Sequence, residues 1–305
     1  MSYRMGIDIG GTFTDFALID DRTGMLTIHK QLTTPSDPSV AVLDGAARLL
    51  RRAGLSFAEL GSIIHGSTLV TNAVIERRGA VTGMLVTEGF SDVLDIAMER
   101  RYNIYDLRLR FPAPIVPRAM RAEIAERMQV DGSVATALDP ATAVARVGEL
   151  RERHGIVALA ICYLHAFTNP MHEEQTRRAV AAAFPDLYLS SSADVFPFMR
   201  EYERWNTTAI NAYVQPLVDR YLQRIEESLT TDGFRGQLHV MTSTGGTVSV
   251  ATARRYPVRM LESGPAAGVL MSAYLGRLLD LPNVLAFDMG GTTDSRGGIP
   301  ARRVM

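Results

Sequence analysis

Two short stretches of the sequence share one pattern: an aspartate, an apolar residue, two glycines and a threonine. Residues 8–12 read Asp-Ile-Gly-Gly-Thr, and residues 288–292 read Asp-Met-Gly-Gly-Thr; each follows an apolar run. Paired glycines can adopt backbone angles that let successive N–H groups converge on an anion. One such loop is also typical of an ordinary hairpin turn. Two copies instead predict two similar lobes that face a cleft, each holding part of one polyphosphate.

The pair of loops carries a defined chemistry. An aspartate at a strand end can hold Mg²⁺, usually through water, and Asp8 and Asp288 both have that position. Phosphoryl transfer needs mainly positioning and charge neutralisation, which backbone amides and a metal ion supply. Lys30 is the only lysine, so a nucleotide site here must rely on amides, metal and arginine. Gly-x-Ser-x-Gly, His-Glu-x-x-His and zinc-ligand spacings are absent.

Two further clusters have the residue types of a binding site. A turn after an apolar strand gathers His65, Ser67, Thr68 and Asn72 at a helix start, where free N–H groups favour an anion or a carbonyl. The alternative is a helix cap beside a satisfied core histidine. The second cluster, Glu201, Tyr202 and Arg204, opens a long helical run. It fits either a ligand cleft or a solvated first turn that complements the helix dipole, and spacing alone leaves both open.

The hydrophobic pattern places these residues on an α/β framework. Residues 3–9, 13–20 and 25–32 are predicted strands of a meander at one edge of a mixed sheet. Helices are predicted over 38–54, 68–79, 89–100, 140–154, 171–184, 199–230 and 266–279, with strands at 62–66, 80–86, 156–164, 238–243 and 283–287. Residues 123–130 and 134–138 are predicted to pair as a hairpin on a small insertion. The tail after Thr292 lacks alternation, so the strand that follows the first loop has no predicted counterpart after the second.

Composition excludes several classes of protein. The 305 residues carry a net charge of −1, which argues against a nucleic-acid partner or a membrane surface. No apolar run reaches the roughly 18 residues of a spanning helix, and no signal core precedes the first strand. A cytoplasmic location is the resulting expectation. Cys162, the only cysteine, lies in a continuous apolar strand and is predicted to be buried and inert.

These residues together resemble a known family. The paired loops resemble the actin-like ATPase superfamily, with its ribonuclease H-like fold of mixed sheets flanked by helices. The match is narrower with the hydantoinase A/5-oxoprolinase family, which includes acetone- and acetophenone-carboxylase subunits. It is carried by residues 6–15, 65–77, 87–90, 200–213, 263–268 and 287–292. The resemblance implies a hydantoinase/oxoprolinase N-terminal domain over residues 1–185 and the start of a hydantoinase A domain over 186–305, with its second lobe incomplete.

The resemblance also implies an activity and its residues. ATP would phosphorylate the amide oxygen of a cyclic amide such as 5-oxoproline or a hydantoin, and water would then open the ring. Asp8 and Asp288 would be the catalytic metal ligands. Phosphate would be wrapped by a larger set comprising Gly10, Gly11, Thr12, Thr14 and Asp15 with Gly290, Gly291 and Thr292. Substrate contacts would come from His65, Ser67, Thr68, Asn72, Glu201, Tyr202 and Arg204.

Alternatives to this hydrolase remain. A carboxylase subunit of the acetone or acetophenone type would act on a ketone with the same cofactors, ATP and Mg²⁺. Either enzyme would work with a hydantoinase B-type partner subunit. Family members continue well beyond the second loop, so this chain is expected to be a truncated form, with weak or absent ATP binding on its own. A non-catalytic fragment is the third interpretation, and a sugar kinase is disfavoured by the residues between the loops.

Overall fold

The computed structural model describes residues 3–34, 36–98, 103–289 and 294–300, with residues 288–289 and 294–300 described for their backbone alone. The strands are β1 Tyr3–Ile9, β2 Phe13–Asp20, β3 Leu26–Leu32, β4 Leu60–Ser67, β5 Thr82–Thr87, β6 Arg121–Ile124, β7 Arg127–Met128, β8 Val134–Thr136, β9 Ala158–Cys162, β10 Tyr188–Ser191, β11 Gln237–Met241, β12 Thr247–Ser249, β13 Asn283–Met289 and β14 Asp294–Pro300. The helices are α1 Pro38–Arg52, α2 Leu69–Ile75, α3 Val93–Ile96, α4 Pro140–His154, α5 Met171–Ala183, α6 Ser192–Val195, α7 Glu201–Thr231, α8 Val250–Arg255 and α9 Ser263–Leu278.

The chain forms two compact units. The first combines residues 1–78 with 217–305, and the second is the continuous segment 79–216. This division differs from the boundary near residue 185 that the family resemblance implies, because the first unit takes its strands from both ends of the chain. The boundary at 185 follows domains along the sequence and remains a prediction.

The first unit contains a six-stranded mixed sheet in the order β12-β11-β4-β1-β2-β3. Strands β1, β2 and β3 are sequential antiparallel neighbours, and β4 lies parallel to β1 on one side and to β11 on the other. Alternation sets the two faces of the meander: Met5, Ile7 and Ile9 are buried, whereas Arg4 and Asp8 are exposed. The predicted meander and the α/β fold class are confirmed.

The second unit is built on a parallel sheet in the order β10-β9-β5-β6. Every residue of β5 and β9 is buried, as expected when both faces of a parallel sheet are covered. Met84 and Val86 pack into one apolar cluster with Trp205, and Leu85 packs into another with Val147. Cys162 is a buried free thiol, as predicted, and burial raises its pKa well above the usual value, which disfavours the reactive thiolate.

The structure corrects three predictions. Helix α3 spans Val93–Ile96 alone, far shorter than the predicted 89–100. Residues 121–124 join the parallel sheet beside β5, so the hairpin is reduced to β7 and β8. The return strand after the second loop does exist: β14 pairs antiparallel with β13, with Asn283 opposite Pro300. Main-chain hydrogen bonds form this ladder without any alternation of side chains.

Candidate functional site

The first glycine loop joins β1 to β2 and is hydrogen-bonded to Thr33, the residue that follows β3. The Gly10 N–H donates to the Phe13 carbonyl at 2.9 Å, closing the turn. The Thr33 hydroxyl donates to the Gly10 carbonyl at 2.9 Å, and the Thr33 N–H donates to the Thr12 carbonyl at 2.9 Å. Gly11 and Thr12 are exposed. The loop is therefore fixed through its carbonyls.

Thr14 lies behind the loop, fully buried, with its hydroxyl 3.0 Å from that of Thr33. Its contribution to the loop is thus made through Thr33, a residue that sequence reasoning missed. No motif marks Thr33. The one available signal was its position directly after β3, at the sheet edge where the loop also lies.

Asp8 is the last residue but one of β1 and is exposed. Its register partners are Asp15 on β2 and Gly66 on β4. Asp8 lines a groove of about 910 Å³ on the sheet face, together with Asp15, Lys30 and residues of α9. Both carboxylate oxygens of Asp15 accept from the Lys30 ammonium at 2.9 Å. The only lysine of the chain is thus an exposed partner of Asp15.

Within the described ranges, no cluster of three or more His, Cys, Asp or Glu side chains could hold a metal ion. Mg²⁺ keeps several waters and takes one or two carboxylates together with substrate phosphates. Asp8, exposed at a strand end beside the glycine loop, fits such a ligand. Asp288 belongs to β13, and its side chain lies outside the described residues, as do Gly290, Gly291 and Thr292.

The structure brings His65, Ser67, Thr68 and Asn72 together at the end of β4 and the start of α2. Buried His65 lies with Nε2 at 2.8 Å from the Tyr221 hydroxyl. Burial lowers the pKa of His65 to about 4, against an opposing contribution from the Ile7 backbone. The imidazole is therefore neutral near pH 7, and its Nε2 shares a hydrogen bond with the tyrosine hydroxyl. The buried Ser67 hydroxyl accepts from the Leu69 N–H at 3.0 Å.

Thr68 and Asn72 connect this cluster to the glycine loop. The Thr68 hydroxyl donates to the Ile9 carbonyl at 3.2 Å and accepts from Asn72 Nδ2 at 3.2 Å. The two residues line a cavity of about 360 Å³ whose wall includes Gly10 and Gly11. Asn72 Oδ1 is buried without a hydrogen-bond partner in the described part of the chain. This cavity and the glycine loop share one wall.

The predicted cluster Glu201, Tyr202 and Arg204 lies in the second unit and is divided by the structure. Glu201 and Tyr202 line a cavity of about 470 Å³ with Phe90 and Val93. Arg204 is fully buried and donates to the Ser192 hydroxyl, the Phe198 carbonyl and the Tyr163 carbonyl at 2.9–3.1 Å. The guanidinium of Arg204 therefore has a structural role: it joins α7 by hydrogen bonds to three other segments of this unit.

Buried Glu173 completes the interior network around Arg204. Its carboxylate accepts from the Tyr163 N–H, the Ser192 hydroxyl and the Ala193 N–H at 2.6–2.9 Å. Burial raises the pKa of Glu173 to about 7, although those donors and Arg204 act in the opposite direction. The acidic start of α5 therefore has a structural role in this unit.

Comparison with known proteins identifies the family. The hydantoinase/oxoprolinase N-terminal region matches residues 4–184, and the hydantoinase/oxoprolinase family matches residues 204–298. The chain belongs to the hydantoinase/oxoprolinase family. Together the two matches include the first glycine loop, the β4–α2 cluster and β13.

Named relatives fall into two kinds of enzyme. The caprolactamase alpha subunit of Pseudomonas jessenii is 35% identical over 306 residues, covering 97% of this chain and 44% of its own length. 5-Oxoprolinase 1 of Arabidopsis thaliana is 28% identical, covering 95% of this chain and 25% of its own. The ATP-dependent caprolactamase crystal structure superposes with a TM-score of 0.86 at 33% identity, covering 97% of this chain and 43% of that one.

The second kind is a carboxylase. Nucleotide-free acetone carboxylase superposes with a TM-score of 0.88 at 27% identity, covering 98% of this chain and 44% of that one. The chain therefore spans less than half the length of these relatives. Among the residues that the structure describes, no helix is long and apolar enough to cross a membrane.

Proposed function

We propose that the chain binds ATP with Mg²⁺ at the first glycine loop and supports ATP-dependent opening of a small cyclic amide. The observation that carries this proposal is the wall shared by the loop and the 360 Å³ cavity, made by Gly10 and Gly11. A phosphate on the loop and an acceptor in the cavity would be neighbours. The caprolactamase and 5-oxoprolinase relatives support a cyclic amide as that acceptor.

The roles follow from the geometry of the loop. Exposed N–H groups of Gly11 and Thr12 would bind phosphate oxygens, and Asp8 would hold Mg²⁺, which supplies charge neutralisation when bound. Thr14 would act through Thr33 to fix the loop, and Asp15 would hold Lys30 beside the groove. Asp288, Gly290, Gly291 and Thr292 would form the second phosphate clamp.

The acceptor would lie in the 360 Å³ cavity against Thr68, Leu69, Asn72 and Ala73. That volume is at the small end of ligand pockets, and apolar walls with a few polar groups are typical of them. The amide oxygen would attack the terminal phosphorus, forming an O–P bond as the bond to the ADP oxygen breaks. Water would then add to the activated carbon, and the C–N bond would break as the ring nitrogen takes up a proton, leaving an acyl phosphate. A second water would hydrolyse that acyl phosphate to the carboxylate and free phosphate. Glu201 and Tyr202 line the separate 470 Å³ cavity, so they would contact a substrate only if it entered that cavity.

The second candidate is a carboxylase subunit acting on a ketone, which the superposition with acetone carboxylase favours. Activation of a carbonyl oxygen by ATP would be common to both. The relatives include proteins named as subunits, so a hydantoinase B-type partner is part of the proposal for either activity. Co-purification of the chain with that subunit would test it.

The proposed nucleotide site is tested by saturation-transfer NMR with a non-hydrolysable ATP analogue, a method suited to weak binding. We expect a signal that increases with Mg²⁺ and is lost in Asp8→Ala. The control is Asp44→Ala, which changes an exposed side chain of α1 and should bind the analogue like the wild type. If binding is the same without Mg²⁺ and in Asp8→Ala, the assignment of the nucleotide site to this loop is contradicted.

The substrate class is tested by phosphate release with 5-oxoproline, hydantoin, caprolactam and acetone, in the presence of the partner subunit. Stimulation by a cyclic amide supports the hydrolase, and stimulation by acetone alone supports the carboxylase. No stimulation by any of the four would contradict both.

A further inference from the structure

The carboxylate of Asp8 lies in a slot bounded by two glycines. Gly66, its partner on β4, is buried, and a Cβ built there would lie 2.9 Å from Asp8 Oδ1. Real Cβ atoms essentially never approach another heavy atom so closely. A Cβ on Gly264, in the first turn of α9, would lie 3.6 Å from the same oxygen, an ordinary contact. The carboxylate thus occupies the space that a side chain at position 66 would fill.

The backbone of β4 gives no reason of its own for a glycine at position 66. Gly66 is not among the glycines with positive φ, and it pairs in register with β1. A strand interior ordinarily favours a residue with a side chain over glycine. The neighbouring His65 points to the opposite face, where it contacts Tyr221. What distinguishes position 66 is the carboxylate beside it.

We propose that Gly66 is a positioning residue for Asp8: by lacking a side chain, it lets the carboxylate lie across the end of β4 in the one orientation that can hold the metal. The proposal rests on the proposed function, which assigns Mg²⁺ to Asp8. A methyl group at 66 would turn the Asp8 side chain away. The nearest atom, Asp8 Oδ1, lies at the end of a side chain that can rotate, so the side chain would move before the main chain does. The main chain of the glycine loop would keep its place.

The structure supplies graded controls for this proposal. Gly6 lies in β1 and lines the same groove, but a Cβ there would meet only the Ala17 carbonyl, at 4.0 Å. Gly264 borders Asp8 at ordinary contact distance. Alanine at 6 or 264 therefore adds the same methyl group to the same groove without displacing the carboxylate.

The test measures Mn²⁺ binding by electron paramagnetic resonance, with the non-hydrolysable ATP analogue present. Changes in the surroundings of a metal ligand typically weaken affinity about 10–100-fold, and we expect about tenfold or more for Gly66→Ala. Gly6→Ala and Gly264→Ala should stay within about twofold of the wild type. Equal weakening in all three variants would overturn the proposal, because it would indicate general disturbance of the groove.

A second measurement needs no metal. If the methyl group at 66 acts on the Asp8 side chain, then Asp8→Ala removes the clash, and Gly66→Ala should cost less unfolding free energy in that background than in the wild type. Additive losses would contradict the proposal even if Gly66→Ala is too unstable for the binding assay. If the wild type does not bind Mn²⁺ with nucleotide, the proposed function is contradicted. If Gly66→Ala binds Mn²⁺ as the wild type does, only the positioning role of Gly66 is contradicted.

Discussion

At the scale of single residues, Arg204 is a fully buried cation of the second unit. Its three nitrogen donors all have partners, and its guanidinium carbon lies 5.3 Å from the centre of the Phe167 ring. Arg204→Met would leave the buried Tyr163 carbonyl and the Phe198 carbonyl without a donor, and Glu173 without its neighbouring positive charge. Removing one partner of a buried charged network costs about 3–5 kcal/mol. Urea denaturation of the variant should show a loss of that size.

The matched control for Arg204 is Arg178→Met. Arg178 is exposed and pairs with Glu174 on the same helix at 3.1 Å. Exposed pairs of this kind contribute about 0.5 kcal/mol. A loss for Arg204→Met as small as that of Arg178→Met would contradict the structural role. The sequence could not separate these two arginines, since Ser192, Phe198 and Tyr163 reach Arg204 from 6 to 41 residues away.

His65 gives a pH prediction with a definite sign. Its pKa is about 4 in the folded chain, lowered from 6.5 by burial, so between those values the unfolded chain takes up a proton that the folded chain excludes. Stability from this group is therefore lost as pH falls from 6.5 to 4. His65→Gln cannot titrate. The difference in unfolding free energy between wild type and variant should narrow over that range, by up to about 1.4 kcal/mol per pH unit.

The measurement is urea denaturation at closely spaced pH values. Taking the difference between the two proteins cancels the other titrating groups, including Glu173, whose raised pKa acts in the opposite direction. A difference that does not change between pH 6.5 and 4 would show that folding does not lower the pKa of His65.

At the scale of elements, α1 packs on the sheet through a glycine. A Cβ on Gly45 would lie 2.1 Å from Phe16 Cζ on β2, so the helix can approach the ring only without a side chain there. Gly45→Ala should cost about 1–3 kcal/mol through overpacking, measured by urea unfolding.

Gly148→Ala is the control within a helix of the same length. A Cβ on Gly148 in α4 would lie 3.7 Å from Phe184 Cζ, an ordinary contact. Alanine is favoured over glycine inside helices, so this variant should be neutral or more stable by up to about 1 kcal/mol. Equal destabilisation by both variants would contradict the close approach of α1.

Elements with strong local signals could be predicted from the sequence. Helices α1 and α4 begin at Asp-Pro, where Asp37 and Asp139 cap the first turns as N-cap residues. Strand β14 could not be predicted, because its pairing depends on the edge offered by β13. Strand β6 was assigned to a hairpin for the same reason: its partner, β5, lies more than thirty residues away. Of the candidate site, the glycine loop was predictable, whereas Thr33 and Gly66 required the folded register.

At the scale of the whole molecule, the first unit exposes an apolar surface on its edge strand. We call Leu26, Ile28 and Leu32 of β3 the edge surface; all three are at least 59% exposed. An exposed edge strand with apolar side chains favours association with other chains. Ile28→Lys should lower concentration-dependent self-association, measured by sedimentation velocity, without lowering the unfolding free energy.

Val130→Lys serves as the control for the edge surface. Val130 is also exposed, at 67%, but lies beside the short β7–β8 hairpin of the second unit. A charge there should leave self-association unchanged. If both substitutions reduce association equally, net charge and not the edge surface is responsible.

The parallel pairing of β4 with β11 has a consequence for how the protein is made. Strand β4 leaves the ribosome early, but its neighbour β11 follows only after the whole second unit has been synthesised. At about 5–20 residues per second, that delay is on the order of ten seconds. During this time, the edge of β4 that faces away from β1 has no partner strand in the nascent chain. The segment inserted after α2 can complete its own local parallel sheet first, so the second unit to begin emerging is the first that can finish folding.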